Sequence, residues 1–282
     1  FDILSNPEFL AEGNAINDLC SPDRVLIGGE CKKAIDALKR IYLNWIEESK
    51  IITTNLWSSE LSKLAANAFL AQRISSINSL SALCEASGAS IEEVKNAVGS
   101  DTRIGNKFLD AGPGFGGSCF KKDILNLVYL ARYFRLDEVA DFWEKVITLN
   151  NWQQNRIYKI IVEKLFGNVN GKKIAFLGFS FKANTNDTRE SSAINIGNYL
   201  LKEGAKLSIH DPKVSFKQIE DAFLQIDQNK NNIKNSHWEK VSNLIDVFEG
   251  ADAAVVLTEW SEYKNINWDK VAVLMRQPAW VF

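Results

Sequence analysis

The residues best suited to covalent chemistry lie at the start of a predicted helix, directly after a run of glycines. Residues 112–123 read GPGFGGSCFKKD, so Cys119 comes just before the predicted helix, with Lys121 and Lys122 close behind. The positive end of a helix dipole and nearby cations stabilise a thiolate relative to a thiol. The thiolate is the form in which cysteine acts as a covalent nucleophile. The alternative is a buried, inert cysteine, which the sequence context favours for Cys20, Cys31 and Cys84.

The glycines before Cys119 match GxGxxG, the pattern of a dinucleotide-binding loop, over residues 112–117. That pattern binds a pyrophosphate only where a strand precedes it and a helix opens directly after it. Residues 106–110 do not have the composition of a strand, and the segment falls between predicted helices. We therefore expect a flexible loop that lets backbone amides approach a ligand, rather than a dinucleotide fingerprint.

Two further pairs of polar residues have spacing suited to a site. Lys63 and Asn67 are four residues apart in a mostly apolar helical stretch, so they share one helix face. Glu8 and Glu12 are also four apart and follow a short predicted strand. From the residues alone, Lys63 is better explained as a surface lysine whose stem covers apolar surface. The two glutamates are equally explained as acidic residues in a helix's first turn.

The elements that must position these residues change along the chain. Residues 1–54 alternate short β-branched runs with an amphipathic helix over 32–46, which is too little for a complete α/β domain. Residues 55–166 are predicted to be helical, with helices over 57–87, 122–134 and 137–165; the last has a polar gap at 150–155. The helix over 57–87 is long enough to pack on a second copy of the chain. Residues 167–282 again alternate strands and helices, which predicts a doubly wound parallel sheet.

Composition excludes several other classes of protein. Of 282 residues, 46% are hydrophobic and 24% charged, as in a globular protein with a full core. A net charge of −2 gives no electrostatic reason to expect a nucleic acid partner. The longest apolar runs are far short of the roughly 20 residues of a membrane-spanning helix. Four cysteines in a chain this long indicate reduced thiols in the cytoplasm, and no metal-ligand pattern is present. Both ends fall within predicted strands, so we expect an excerpt of a longer protein.

Five motifs in order resemble the UDP-glucose 6-dehydrogenase family. They are residues 5–13 (SNPEFLAEG), 63–67 (KLAAN), 114–123 (GFGGSCFKKD), 178–182 (GFSFK) and 187–191 (DTRES). The resemblance covers essentially the whole chain, and residues 53–79 look particularly like the animal enzymes. The family pattern implies that residues 1–54 are the C-terminal part of a Rossmann NAD domain, the rest of which this chain lacks. It also implies a central helical dimerisation domain over 55–166 and a UDP-sugar-binding Rossmann-like domain over 167–282. One departure is Asp110, where the family has lysine.

The resemblance implies a four-electron oxidation of UDP-glucose to UDP-glucuronate with NAD as the cofactor. Cys119 would form a thiohemiacetal and then a thioester with the sugar C6 carbon. Lys63 would stabilise the oxyanion, Asn67 would orient it, Asp123 would hold a water, and Glu8 would be the base for thioester hydrolysis.

The same resemblance implies which residues bind the ligands. NAD would be bound by Glu12, Cys119, Lys122 and Arg189. The UDP-sugar site would be lined by Glu8, Phe9, Leu10, Glu12, Lys63, Asn67, Arg103, Phe108, Asp110, Gly112, Phe115, Gly116, Phe181 and Lys182, with Arg103 reaching in from a neighbouring subunit. The family resemblance implies a homodimer or larger assembly, with helix 57–87 in the interface. UDP-N-acetylmannosamine and GDP-mannose remain alternative substrates. A chain that binds UDP-sugar without turnover and a purely structural oligomerisation module also remain alternatives.

Overall fold

A computed structural model describes residues 1–226 and 237–282. The described chain divides into two compact units, one of residues 1–70 with 122–143 and the other of residues 71–121 with 144–282. The boundaries between the units fall inside three long helices, α3 (Leu56–Ser87), α5 (Ser118–Tyr133) and α6 (Asp137–Lys164). Each of these helices therefore contributes residues to both units.

The first unit contains a small sheet formed by the N-terminal residues. Its strands are β1 (Leu4–Ser5), β2 (Val25–Gly29) and β3 (Ile51–Thr54), with β2 in the centre. β2 pairs in parallel with β3 and antiparallel with β1. The helices α1 (Ala15–Cys20) and α2 (Lys32–Tyr42) connect the strands. The predicted helix over 32–46 therefore ends four residues early, and Ile46 instead packs in the core with Val25 and Ile27.

The second unit is built on a five-stranded parallel sheet in the order β6-β5-β4-β7-β8. These strands are β4 (Lys173–Leu177), β5 (Lys206–His210), β6 (Trp238–Val241), β7 (Ala253–Val256) and β8 (Trp280–Val281). The helices α7 (Ser192–Lys202), α8 (Phe216–Ile226) and α9 (Trp268–Ala272) lie between strands in the chain. The predicted α/β fold with a parallel sheet and a helical middle segment is confirmed.

The helical segment follows the sequence prediction closely. α3 spans 32 residues, or about 48 Å at 1.5 Å per residue. The next helix, α4 (Ile91–Gly99), has Ser90 as its N-cap. The Ser90 side chain accepts a hydrogen bond from the backbone N–H of Glu93. α5 begins at Ser118, four residues earlier than predicted, so Cys119 lies within its first turn rather than before it. The polar composition of residues 218–235 predicts a loop or a surface helix; residues 218–226 belong to α8, and residues 227–236 lie outside the described residues.

Two apolar clusters flank the parallel sheet and fix its position. One contains Phe176, Phe179, Leu200 and Phe223, all less than 2% exposed. The other contains Leu177, Val247 and Phe248 on the opposite face. Alternate residues of β4 therefore point into different cores, as expected for a strand covered on both sides. Within residues 1–226 and 237–282, no helix combines the length and apolar character needed to cross a bilayer.

Candidate active site

In the first unit, a salt bridge joins the segment after β1 to α3. The backbone there is fixed by Asn6, which donates to the Leu26 carbonyl of β2 at 2.8 Å and accepts from the Tyr42 hydroxyl at 2.7 Å. This places Glu8 so that its Oε1 lies 3.0 Å from Lys63 Nζ. Glu8 Oε2 accepts from its own loop, from the N–H of Leu10 at 2.7 Å. The structure thus brings together a predicted base and a predicted oxyanion stabiliser.

Opposing influences act on the Glu8 carboxyl. Partial burial would raise its pKa, but the Leu10 N–H, the Lys63 ammonium and the charge of Lys122 together lower the pKa below its ordinary value. Glu8 is therefore ionised at neutral pH and able to accept a proton. The ring of Phe9 lies against Arg24, whose guanidinium carbon is 3.8 Å from the ring centroid, and Lys63 Nζ is 5.5 Å from the same centroid.

We predict that Lys63→Met raises the pKa of Glu8. Methionine keeps the apolar stem but removes the Lys63 hydrogen bond and charge, two of the influences that lower the pKa, so the effect of burial is opposed only by the Leu10 N–H and the charge of Lys122. Carbon-13 NMR titration of the Glu8 carboxyl measures this directly. Lys122→Met is the matched control, because the charge of Lys122 has the smallest effect among the groups that lower the pKa of Glu8. A Glu8 pKa that stays equally low in Lys63→Met would contradict the assigned contact.

A second pair in the same unit is buried. Asn67 Nδ2 donates to Asp123 Oδ2 at 2.5 Å, and both residues are less than 9% exposed. Asn67 lies one turn beyond Lys63 on α3, and Asp123 lies one turn beyond Cys119 on α5. The shared bond therefore fixes the orientation of the Asp123 carboxylate within the first unit. Lys122 Nζ is 4.0 Å from Asp123 Oδ1 and is itself largely exposed.

In the second unit, the glycine loop before Cys119 is held by buried amide side chains. Asn150 of α6 accepts from the N–H of Phe115 at 2.8 Å and donates to the carbonyl of Phe115 at 3.0 Å. Asn78 of α3 accepts from the N–H of Gly112, and Gln153 donates to the Gly112 carbonyl. The backbone amides of Gly112 and Phe115 therefore bond to the protein. We expected the loop's amides to approach a ligand, and for these two the structure shows that this is wrong.

Close contacts explain why residues 114 and 116 are glycine. Gly114 has φ +111°, and a Cβ there would lie 2.7 Å from Asn150 Oδ1. A Cβ on Gly116 would lie 2.7 Å from both the Phe181 Cβ and the Glu190 carbonyl oxygen. The loop is thus packed tightly between α6 and the segment after β4, with no space for side chains at these positions.

One sequence feature corresponds to this amide clamp, formed by Asn78, Asn150 and Gln153. The apolar periodicity of α6 is interrupted at residues 150–155. In the structure, Asn150 and Gln153 are at most 5% exposed, so the polar side chains face inward. A polar stretch on the buried face of a long helix is the pattern that could have predicted these contacts.

We predict that Asn150→Ala lowers the free energy of unfolding by about 2–4 kcal/mol, because it leaves a buried N–H and a buried carbonyl without their partner. Urea denaturation followed by circular dichroism measures the change. The adjacent Asn151→Ala is the matched control, since Asn151 is exposed and its loss should cost less than about 0.5 kcal/mol. Equal effects of the two substitutions would contradict the clamp.

Other predicted site residues lie around this loop or in the segment before it. Gly117 donates its N–H to the Arg189 carbonyl, and Lys121 pairs with Glu190 at 2.9 Å, so residues 189–190 are fastened to the start of α5. The Arg189 guanidinium binds the Asp187 carboxylate through Nε and a terminal nitrogen. Lys182 Nζ lies 5.6 Å from the centroid of the Phe181 ring. Cys119 is exposed.

The predicted residues of the segment 101–110 have partners of their own. Arg103 binds the Asp101 carboxylate, and its side chain is 87% exposed. Asp110, where the family resemblance leads one to expect lysine, forms an ion pair with Lys95 of α4. Phe108 has φ 60° and is exposed, and Glu12 is exposed as well. No group of three or more potential metal ligands occurs among the residues that the structure describes.

Three domain models of one known protein family together match most of the chain. The profile of the UDP-glucose/GDP-mannose dehydrogenase central domain matches residues 57–152, that of its UDP binding domain matches 175–282, and that of its NAD binding domain matches 1–46. The chain belongs to this family. The resemblance inferred from the five motifs is thereby confirmed.

Individual relatives agree with the family assignment. The chain is 54% identical over 293 residues to UDP-glucose 6-dehydrogenase of Caenorhabditis elegans, which covers 100% of this chain and 59% of that protein. It is 55% identical over 287 residues to the Gallus gallus enzyme of the same name, covering 99% of this chain and 58% of that protein. A UDP-glucose dehydrogenase structure from Pyrobaculum islandicum superposes with a TM-score of 0.85 at 29% identity, over 100% of this chain and 63% of that one. The chain thus spans about three fifths of these relatives' length.

Proposed function

We propose that the protein containing this chain is an NAD-dependent dehydrogenase that oxidises UDP-glucose to UDP-glucuronate. The observation that carries the proposal is the start of α5. There, the exposed Cys119 lies in the first turn, four residues before the buried Asp123, which is bonded to Asn67. A nucleophile and a carboxylate one turn apart suit an oxidation that ends in hydrolysis. The names of the relatives and the matched UDP binding domain support this choice of substrate.

The residues of the chain would act in sequence on the sugar C6 carbon. NAD, when bound, accepts the hydride released in each of two oxidations. After the first, the Cys119 thiolate adds to the C6 aldehyde and forms a thiohemiacetal. Loss of the second hydride leaves a thioester, and water then cleaves the C–S bond to release the carboxylate and the free thiol. Covalent capture retains the aldehyde and divides a difficult oxidation into easier steps.

The charged side chains would supply the remaining chemistry. Lys63 would stabilise negative charge on the C6 oxygen, and Asn67 would orient that oxygen. Asp123 would hold the hydrolytic water, and ionised Glu8 would take a proton from it. Glu12, Lys122 and Arg189 would contact NAD. Lys122 fits this role because its exposed ammonium is 4.0 Å from the nearest carboxylate and can approach a pyrophosphate.

The domain organisation and the assembly are parts of the same proposal. We place the boundaries of the three domains at 54/55 and 166/167, and we propose a cytoplasmic homodimer or larger assembly in which α3 packs on a second copy. Exposed apolar residues along α3 support this, among them Trp57, Leu61, Phe69, Leu80 and Leu83. Light scattering of the full-length protein should give at least twice the mass of one chain, and a stable monomer would contradict the assembly.

The test of the function is NADH formation by the full-length protein with a panel of sugar nucleotides. With UDP-glucose we expect two NADH for each UDP-glucuronate formed. UDP-N-acetylmannosamine and GDP-mannose should react far more slowly. Faster reaction with either of those would reassign the substrate. Binding of UDP-glucose without NADH formation would instead identify a non-catalytic binding protein.

A further inference from the structure

One buried carboxylate joins three loops at the carboxyl edge of the parallel sheet. Asp211 directly follows β5 and is 2% exposed. Its Oδ2 accepts hydrogen bonds from the N–H groups of Phe179 and Ser180, at 2.8 and 3.0 Å, and from the Ser180 hydroxyl at 3.1 Å. Oδ2 also accepts from Trp260 Nε1 at 3.2 Å. The carboxylate is therefore bonded to the loop after β4, the strand beside β5, and to the loop after β7, the strand on the far side of β4.

The second oxygen of Asp211 fixes its own loop. Asp211 Oδ1 accepts from the N–H groups of Lys213 and Val214, at 2.9 and 3.0 Å. With six donors, all of them neutral N–H or O–H groups, the carboxylate uses its full acceptor capacity. Hydrogen bonds to an ionised acceptor are stronger than those between neutral groups. The carboxyl edge of a parallel sheet is also where ligands bind in open α/β folds.

A second tether holds the same loop from the other side. Thr258, after β7, donates its hydroxyl to the Ser180 carbonyl at 2.7 Å. Gly178 donates its N–H to the His210 carbonyl at 2.8 Å and has φ +98°, and a Cβ there would lie 2.3 Å from the Thr258 Cβ. The backbone of residues 178–180 is thus fastened to both neighbouring loops.

The fastened segment, residues 178–180, leads directly into two residues that are predicted to bind the substrate. Phe181 and Lys182 follow Ser180, and the Phe181 Cβ sits where a side chain on Gly116 would clash. The position of residues 178–180 therefore sets the position of Phe181 against the glycine loop before Cys119. We propose that Asp211 is a positioning residue for substrate binding, holding Phe181 and Lys182 where they contact the UDP-sugar. This proposal rests on the proposed function.

The test compares two substitutions in the full-length protein. Asp211→Asn keeps the size of the side chain but replaces one acceptor oxygen by an NH₂ group that faces donors. We expect KM for UDP-glucose to rise roughly tenfold or more, with kcat changed less than about threefold, because Asp211 does not touch the reacting atoms. Calorimetric titration with UDP alone should show a matching loss of affinity. Thr258→Val, which removes the second tether without changing charge, should raise KM in the same direction and covers the case in which Asp211→Asn fails to fold.

Asp252→Asn is the matched control for a merely structural role. Asp252 lies at the opposite edge of the same sheet, where Oδ2 accepts from the N–H of Lys173 at 2.8 Å and lies 3.5 Å from Arg276. We expect Asp252→Asn to lower Tm and leave KM unchanged. The proposal is overturned if Asp211→Asn and Thr258→Val keep the wild-type KM, or if Asp252→Asn raises KM equally. A wild-type protein that neither binds UDP nor forms NADH would instead refute the proposed function.

Discussion

Changing Cys119→Ser is expected to reduce the steady-state rate of UDP-glucuronate formation by several orders of magnitude. Serine replaces the thiol with a hydroxyl of similar size. That hydroxyl is hardly ionised near neutral pH and cannot form the thioester. Each tenfold loss of rate corresponds to about 1.4 kcal/mol of barrier, so losing the acyl intermediate has a large effect. Steady-state NADH formation measures the loss. UDP-glucose binding, measured by calorimetry, should survive, since the substitution leaves the glycine loop and its amide clamp in place.

Cys20→Ser is the matched control for this prediction. Cys20 and Cys119 are both exposed, but Cys20 lies at the end of α1 rather than in the first turn of a helix. Its replacement should leave turnover unchanged. If Cys119→Ser retains near-normal conversion to the acid, Cys119 is a packing residue of a substrate loop and the covalent mechanism is wrong.

Asp123→Asn is expected to slow turnover by roughly 10²–10⁴-fold, the range for general acid–base catalysis, because Glu8 takes its proton from the water that Asp123 holds. The amide retains the volume and can still accept from Asn67, but it carries no charge to hold or polarise a water. Steady-state kinetics of the full-length protein measure the effect, and thermal unfolding separates it from a loss of fold. Asp141→Asn is the control, because Asp141 is an exposed carboxylate on α6. A rate within tenfold of wild type would remove Asp123 from the mechanism.

The long helices could be predicted well from the sequence because their signals are local. The absence of proline and glycine over 57–87 and the apolar periodicity of α6 each specify the backbone without reference to distant residues. The parallel sheet also followed from alternating strands and helices. The strand β6 was not predicted, because its sequence WEKV has neither an apolar run nor strict alternation, and its pairing with β5 is a tertiary property.

The candidate site was predicted in part for the same reason. Residue type and helical spacing drew attention to Cys119, Lys63 and Asn67, because a helix converts spacing into a shared face. Contacts between residues distant in the chain were not predictable in this way. The bond between Asn67 and Asp123 spans 56 residues, and that between Asn150 and Phe115 spans 35. Only the fold brings such residues together, so the contacts of Asn150 and Asp211 could be identified only from the structure.

The covalent intermediate on Cys119 is the central claim, and mass spectrometry of a stalled full-length enzyme tests it most directly. Glu8→Gln should slow thioester hydrolysis without removing the nucleophile, so the acyl-enzyme should accumulate when UDP-glucose and NAD are supplied. Peptide mapping after an acid quench should then find a UDP-glucuronyl adduct on the peptide containing Cys119. An enzyme that still forms UDP-glucuronate while carrying no adduct, or one that carries the adduct on a different residue, would contradict the mechanism.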